Sequence, residues 1–436
     1  MLGVVRCAGL LQAPLRSPPT LPRALALTAT PHKVAAPAAA AREEQPSTVK
    51  PVSEVPGPRS FPFVGTIPSM LLDKSFKSTK IHLYFKKMTE MYGPIFKFSQ
   101  PFNPPTVFVV RPDDTEAVVR ATMDNPIRDG FTSFQKIRKE AADNYFENKT
   151  GLLTENGEEW WRVRSRVQTP MLRVKELLHY LPLMDQITME FMDRIADKNI
   201  RETEAALLAK TASDGEDLTL MEALLVKPGL SRKDVVTLIL DMLIAGIDTT
   251  SHTLAFTLYL LARNPEVQAR LQKEVDVVLG NHKGPLTQHH LAQLSYLKAV
   301  VKESMRVFPI VLGMGRTLDK DLVLSGYLIP KGWMVAMLGM LMGWDESLFP
   351  RAKEFIPERW LRHKPLGPIH PYATLPFGAG TRMCIGRRIA EQEMFTFLAR
   401  AMQRFTVGYE YEDLELVSRL VFIPSRPLKF TFTQRN

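Results

Sequence analysis

The stretch "PFGAGTRMCIGRR", Pro376 to Arg388, sets one cysteine among three glycines and three arginines. A thiolate that ligates iron needs N–H donors and positive potential to support its charge, and glycines let the backbone curl around the sulfur. Arg382, two residues before Cys384, can then reach an anionic group on the same cofactor. The competing reading is a buried structural cysteine behaving as a small apolar side chain. The density of glycine and arginine weighs against it. The other cysteine, Cys7, lies in an N-terminal tail, so no disulfide framework is expected and a reducing compartment fits better than secretion.

Two further constellations carry polar groups in unusual places. In "AGIDTT" (Ala245–Thr250), Gly246 and three small polar residues interrupt an otherwise oily segment. Glycine there costs about 1 kcal/mol of helix stability relative to alanine. In return it removes side-chain bulk and lets the helix open, while an acid beside a hydroxyl can hold water and pass protons. An ordinary helix with back-bonded threonines accounts for the same letters. In "KESMR", Glu303 and Arg306 are three apart and share a helix face. Alone they read as a surface ion pair. Beside Arg359 of "PERW" they form a Glu–Arg–Arg set in which one carboxylate takes bonds from both guanidinia, a structural pin and not a catalyst.

The elements that must position these groups are mostly helical. Ser231 to Pro265 is the longest helical pattern, with Ser231 as N-cap and Asn264-Pro265 as stop. It is apolar nearly all round, like a membrane span, but Asp234, Asp241 and Asp248 recur every seven residues on one stripe. An Asp near mid-bilayer costs about 2.5–3.5 kcal/mol, so a helix through the middle of a soluble core fits better. Short strands are expected in Pro94–Val110, Leu322–Leu338 and Arg419–Thr433. The expected fold class is mainly α with small β-sheets (α+β), in one large domain of residues 61–436.

The 436 residues carry a net charge of +10, half of it in residues 1–42, which hold five basic residues and no acid. That composition reads as an organelle transit peptide rather than a disordered Ala/Pro tail with no address, and a Pro-rich lead-in follows over residues 43–60. The remaining charge is too scattered to argue for nucleic acid.

Together these stretches resemble the cytochrome P-450 superfamily, the haem-thiolate monooxygenases. "FGAGTRMCIG" (Phe377–Gly386) fits the Phe-x-x-Gly-x-Arg-x-Cys-x-Gly signature, and "AGIDTT", "ESMR" and "PERW" occur in the family's order. The resemblance implies haem b (iron protoporphyrin IX), with Cys384 as the axial ligand of the iron and Phe377 and Gly378 of the same loop as cofactor-binding residues. It implies Asp248 and Thr249 as the proton-delivering pair beside Gly246. It assigns the structural cluster to Glu303, Arg306 and Arg359. Haem propionates would be held by Arg382, by Trp160 and Arg164 of "WWRVR", and by Arg316.

Within that superfamily the chain is similar to the mitochondrial branch. Lys298 and Lys302 before the Glu-x-x-Arg, with Arg387 and Arg388 after the cysteine, would dock an acidic, adrenodoxin-like ferredoxin fed by an NADPH-ferredoxin reductase. The implied location is the matrix side of the mitochondrial inner membrane, with peripheral membrane association. The implied reaction inserts one atom of O2 into an apolar, sterol-like or xenobiotic substrate. From Trp160 to Gly246, however, the chain is shorter than the family pattern requires, the loss falling near residues 195 to 205, where helices that roof the pocket are expected. The alternative is therefore a non-catalytic, haem-binding shortened isoform.

Overall fold

The computed structural model describes residues 49–435 apart from 101–104, 130–131, 174–176, 179, 197–223, 226 and 364. The tail of residues 1–42 and most of the region where the shortening is expected, residues 197–205, lie outside the described residues. Helices of eight or more residues are labelled α1 to α9 in chain order.

The lead-in does not float. Lys50–Pro51 (β1) pairs in parallel with β6 (Tyr327–Ile329), which is itself antiparallel to β5 (Leu322–Leu324). Val55 is buried, and Lys97 donates its backbone N–H to the Pro56 carbonyl. After α1 (Ile81–Tyr92), a hairpin of β2 (Ile95–Phe98) and β3 (Thr106–Val109) puts Phe96 opposite Phe108, their rings stacked 5.2 Å apart. This hairpin joins β7 (Met334–Met337) and β4 (Met314–Thr317) in the order β2-β3-β7-β4, with Arg316 of β4 facing Val335 across the ladder.

The helical body begins with α2 (Pro112–Ala121), whose first turn carries Asp113 and Asp114 where the helix dipole favours acids. Then come α3 (Thr132–Lys139) and α4 (Gly157–Leu172). In α4 the residues Trp160, Val163, Arg164, Val167 and Met171 are buried, a helical repeat that places the tryptophan and the arginine on one inward face. Further on lie α5 (Leu181–Ala196), α6 (Arg232–Arg263), α7 (Pro265–Leu279), α8 (Ser295–Val307) and α9 (Arg387–Arg404). Helix α9 packs on α5 and α7, α6 packs on α8, and one apolar core gathers Phe256, Leu261, Leu271, Val301, Leu398 and Met402. Two antiparallel pairs finish the chain: β8 (Phe405–Gly408) with β11 (Thr431–Gln434), and β9 (Leu416–Ser418) with β10 (Phe422–Pro424). The mainly helical architecture with small sheets is as expected.

Helix α6 corrects one expectation. Its start is secured by a capping box, in which Ser231 accepts from the Asp234 N–H and Asp234 accepts from the Ser231 N–H. Its end is buried from Phe256 to Leu261. Between them, Leu243 to Asp248 are exposed without a break, which is more than one helical turn open on every side. The helix thus runs through the core only at its two ends. By length and composition it could cross a membrane, but Asp234 and Asp241 are buried and paired with arginines of the folded body.

Candidate functional site

The Cys384 loop is built by tight turns. Gly378 and Gly380 take φ of +70° and +74°, a region that favours glycine. A Cβ on Gly380 would come within 2.9 Å of the Met123 sulfur. The Phe377 carbonyl accepts from the Cys384 N–H at 2.8 Å, and Thr381 Oγ1 donates to the Met123 carbonyl at 2.7 Å. Helix α9 starts at Arg387, just past the cysteine, and presents its positive end to the sulfur.

Cys384 has open surface, yet desolvation raises its thiol pKa, opposed by the Gly386 N–H and the Arg164, Arg128 and Arg387 guanidinia. The sulfur is thus surrounded by protein and still reached by solvent. It is a site that an approaching cation would convert to thiolate.

Around Cys384 stand arginines from separate parts of the chain: the buried Arg164 on α4, Arg316 on β4 and Arg382 in the cysteine loop, and the half-buried Arg128 after α2. Burial drives all four pKa values down, to about 10 for Arg164 and Arg316 and to about 9 for Arg382. They also repel one another: Arg128, Arg316 and Arg164 each lower Arg382. The Arg382 side chain donates to the Pro126 and Glu155 carbonyls and to Asn156 Oδ1, and Arg316 donates to the Gly315 carbonyl. None of these acceptors is a carboxylate. Nε of Arg164 and of Arg382 is buried with no hydrogen-bond partner among the described residues. The Trp160 ring lies under the Arg382 guanidinium, 4.8 Å from its centroid.

A cradle in which Arg316 and Arg382 direct their hydrogen bonds to neutral oxygens, with Asp129 supporting the charge of Arg382, is suited to a dianionic ligand, because buried cations are costly unless closely paired. The sequence motifs point to Arg164, Arg316, Arg382 and Trp160, and the fold brings these four together. The motifs miss Arg128 and Asn156, which lie in a stretch with no periodic pattern.

On α8 and the turn that holds Arg359, Glu303, Arg306 and Arg359 come together and are almost wholly buried. Glu303 accepts a fork from Arg306 (2.9 and 2.7 Å), one bond from Arg359 (2.9 Å), one from Trp360 Nε1 (2.8 Å) and one from the Ile356 N–H (3.0 Å). The pair is therefore no surface ion pair, and Trp360 is a member that the spacing did not reveal.

The third group behaves differently. Asp248 is exposed, and among the described residues its carboxylate has no hydrogen bond or ion pair, whereas Thr249 Oγ1 donates to the Ala245 carbonyl at 2.5 Å. Thr253 likewise donates to the Thr249 carbonyl. A Cβ at Gly246 would meet nothing within 4 Å. Arg387 and Arg388 both reach Glu391, and Arg387 also lies 5.5 Å from the Phe377 ring. Lys302 is exposed, while Lys298 donates to the Ala292 carbonyl and burial lowers its pKa. Arg387 is thus partly committed to holding the cysteine loop.

The cytochrome P450 family model matches residues 55–214 and 198–432. A probable cytochrome P450 12a5, mitochondrial, of Drosophila melanogaster is 31% identical over 81% of this chain and 68% of its own length. Cytochrome P450 302a1, mitochondrial, of the same organism is 30% identical over 87% and 94%. A probable cytochrome P450 49a1, also from that fly, is 27% identical over 89% and 84%, in an alignment of 506 positions. That is more positions than the 436 residues here can fill. It accords with the central shortening, as do the two family-model segments that overlap at 198–214. The chain belongs to the cytochrome P450 family, the haem-binding monooxygenases.

Proposed function

We propose that this chain ligates haem iron through Cys384 and inserts one atom of dioxygen into an apolar, sterol-like or xenobiotic substrate. Electrons would come from NADPH through a reductase and a ferredoxin. The observation that carries the reading is the set of buried guanidinia beside Cys384, with Arg382 and Arg316 bonded to carbonyl and amide oxygens and the Nε of Arg164 and Arg382 unpartnered. Haem brings two carboxylates and an iron, and the donors present fit both. Bound there, haem supplies the redox chemistry for oxygen insertion.

The chain's own residues do the rest. Cys384 ligates, with the Gly386 N–H and the nearby guanidinia supporting negative charge on sulfur. Arg164, Arg316 and Arg382 take carboxylate oxygens in planar, forked bonds. Asp248 and Thr249 hold and move protons on the α6 side. Lys298, Lys302, Arg387 and Arg388 offer positive charge to an acidic partner; α8 and α9, which carry them, pack together. Two of the relatives above carry "mitochondrial" in their names. With the Arg-bearing, acid-free tail, this supports a mitochondrial address on the matrix side of the inner membrane.

One observation favours the alternative, a haem protein without turnover: the middle of α6 lies open from Leu243 to Asp248. The reduced protein with carbon monoxide is expected to show the red-shifted Soret band of thiolate ligation, and Cys384→Ser to lose it. An unshifted band in folded wild type overturns both readings. The two separate on turnover, because NADPH consumption without oxygenated product, across a panel of apolar substrates with ferredoxin and reductase present, leaves only the second.

A further inference from the structure

One loop touches both α6 and the arginine cradle. Thr150 to Asn156 is held on one side by a buried ion pair, Arg138 of α3 and Asp241 of α6, whose side chains are 6% and 8% exposed. Arg138 Nη2 donates to Asp241 Oδ1 at 2.6 Å, Nη1 donates to the Thr150 carbonyl, and the Leu153 N–H donates to Asp241 Oδ2 at 3.3 Å. The fit is close. Gly151 has φ +89°, and a Cβ there would fall 2.3 Å from Arg138 Nη1 and 2.5 Å from Asp241 Oδ2.

The other side of the same loop carries the cradle. The Leu153 carbonyl accepts from Arg128 Nη2 at 2.9 Å, Asn156 Oδ1 accepts from the Arg128 N–H at 2.9 Å and from Arg382 Nη1 at 2.8 Å, and the Glu155 carbonyl accepts from Arg382 Nη2 at 2.5 Å. Leu153 thus donates to the ion pair and accepts from a cradle arginine through its two backbone groups. A shift of the pair moves the acceptors that aim Arg128 and Arg382.

We propose that Arg138 and Asp241 are a positioning pair that sets the aim of the arginine cradle and so the hold on the carboxylates of bound haem. The inference rests on the reading that the cradle takes those carboxylates. Neither residue touches the ligand; each acts through the loop, as outer partners of metal ligands do.

The test uses holoprotein and measures haem transfer to excess apomyoglobin. Asp241→Asn and Arg138→Gln are expected to release haem about tenfold faster, the scale typical of such partners. The carbon monoxide band should stay at the thiolate position. Arg138→Lys keeps the charge on one acceptor and should fall between; it also supplies the readout if the other variants do not fold. The control is Asp185→Asn, which breaks another buried pair, with Arg400; it should lower the thermal midpoint without faster release. Wild-type release from Asp241→Asn or Arg138→Lys, or equal acceleration in Asp185→Asn, overturns the proposal. Arg382→Gln separates the causes. If it too releases haem at the wild-type rate, the cradle reading fails and takes this one with it; if it is fast while Asp241→Asn is not, only the pair fails.

Discussion

The two flanks of the proposed site are built on opposite plans. On the cysteine side, Glu303 takes five hydrogen bonds from Arg306, Arg359, Trp360 and the Ile356 backbone, all within the chain. On the α6 side, Leu243, Ile244 and Ile247 are 52%, 41% and 63% exposed, and Asp248 stands open beside them. One flank satisfies its own polar groups; the other leaves apolar groups in water. The contrast teaches that, on the proposed reading, ligation and roofing are separable: the expected shortening between Trp160 and Gly246 would bear on the second, while the hydrogen bonds of the first are complete within the chain.

The largest effect is expected where satisfaction is most complete. Glu303→Gln removes the charge that Arg306 and Arg359 share, leaving two fully buried guanidinia without a counter-ion. Breaking a buried pair in this way costs about 3–5 kcal/mol. Urea unfolding of the apoprotein should show a loss of that size. A change below about 1 kcal/mol would mean that the cluster is wet, and would erase the difference between the flanks.

How much of this was legible in the sequence depends on how local the chemistry is. The cysteine loop could be read because its glycines, arginines and thiol lie within thirteen consecutive residues. Glu303 and Arg306 could be paired from helical spacing, but their complete burial could not. Asn156 meets Arg382 across 226 residues of chain, and Asp241 meets Arg138 across 103. Neither contact leaves a periodic trace. The exposure of mid-α6 ran against its letters, since a segment apolar on all faces reads as buried. The periodicity of a helix records which of its faces are apolar but not which other elements come to cover them, so the exposure of Leu243 to Asp248 leaves no trace in the letters of α6.

The arginine cradle differs from both flanks, because its contribution to stability should change sign with occupancy. Arg164 has its Nε buried and unpartnered, and its pKa in the fold, about 10, lies below that in the unfolded chain. The cost of keeping it charged is therefore present in full below about pH 10 and is relieved only as pH rises further, where the unfolded chain holds the extra proton. Arg164→Met should stabilise the apoprotein by about 1–3 kcal/mol at neutral pH, by removing an unsatisfied buried group. The gain should shrink above pH 10. In the holoprotein the same change should speed haem release. Calorimetry of both forms checks the sign, and a loss of apoprotein stability would show that Arg164 has a counter-charge within the chain.

The smallest effect tests the open flank. Gly246 sits inside a helix where an added Cβ meets nothing within 4 Å, so alanine should gain up to about 1 kcal/mol from helix propensity alone. Packing among the described residues does not require a glycine here, and on the proposed reading it would leave room beside the proton-delivering pair Asp248 and Thr249. Gly246→Ala is therefore expected to raise the apoprotein's thermal midpoint by a few degrees and, if this form turns over, to lower the product formed per NADPH consumed. A fall in the midpoint would mean that another element presses on this turn, and that the flank is closed. Higher stability with unchanged coupling would leave the glycine without a catalytic reason and favour the haem protein that lacks turnover.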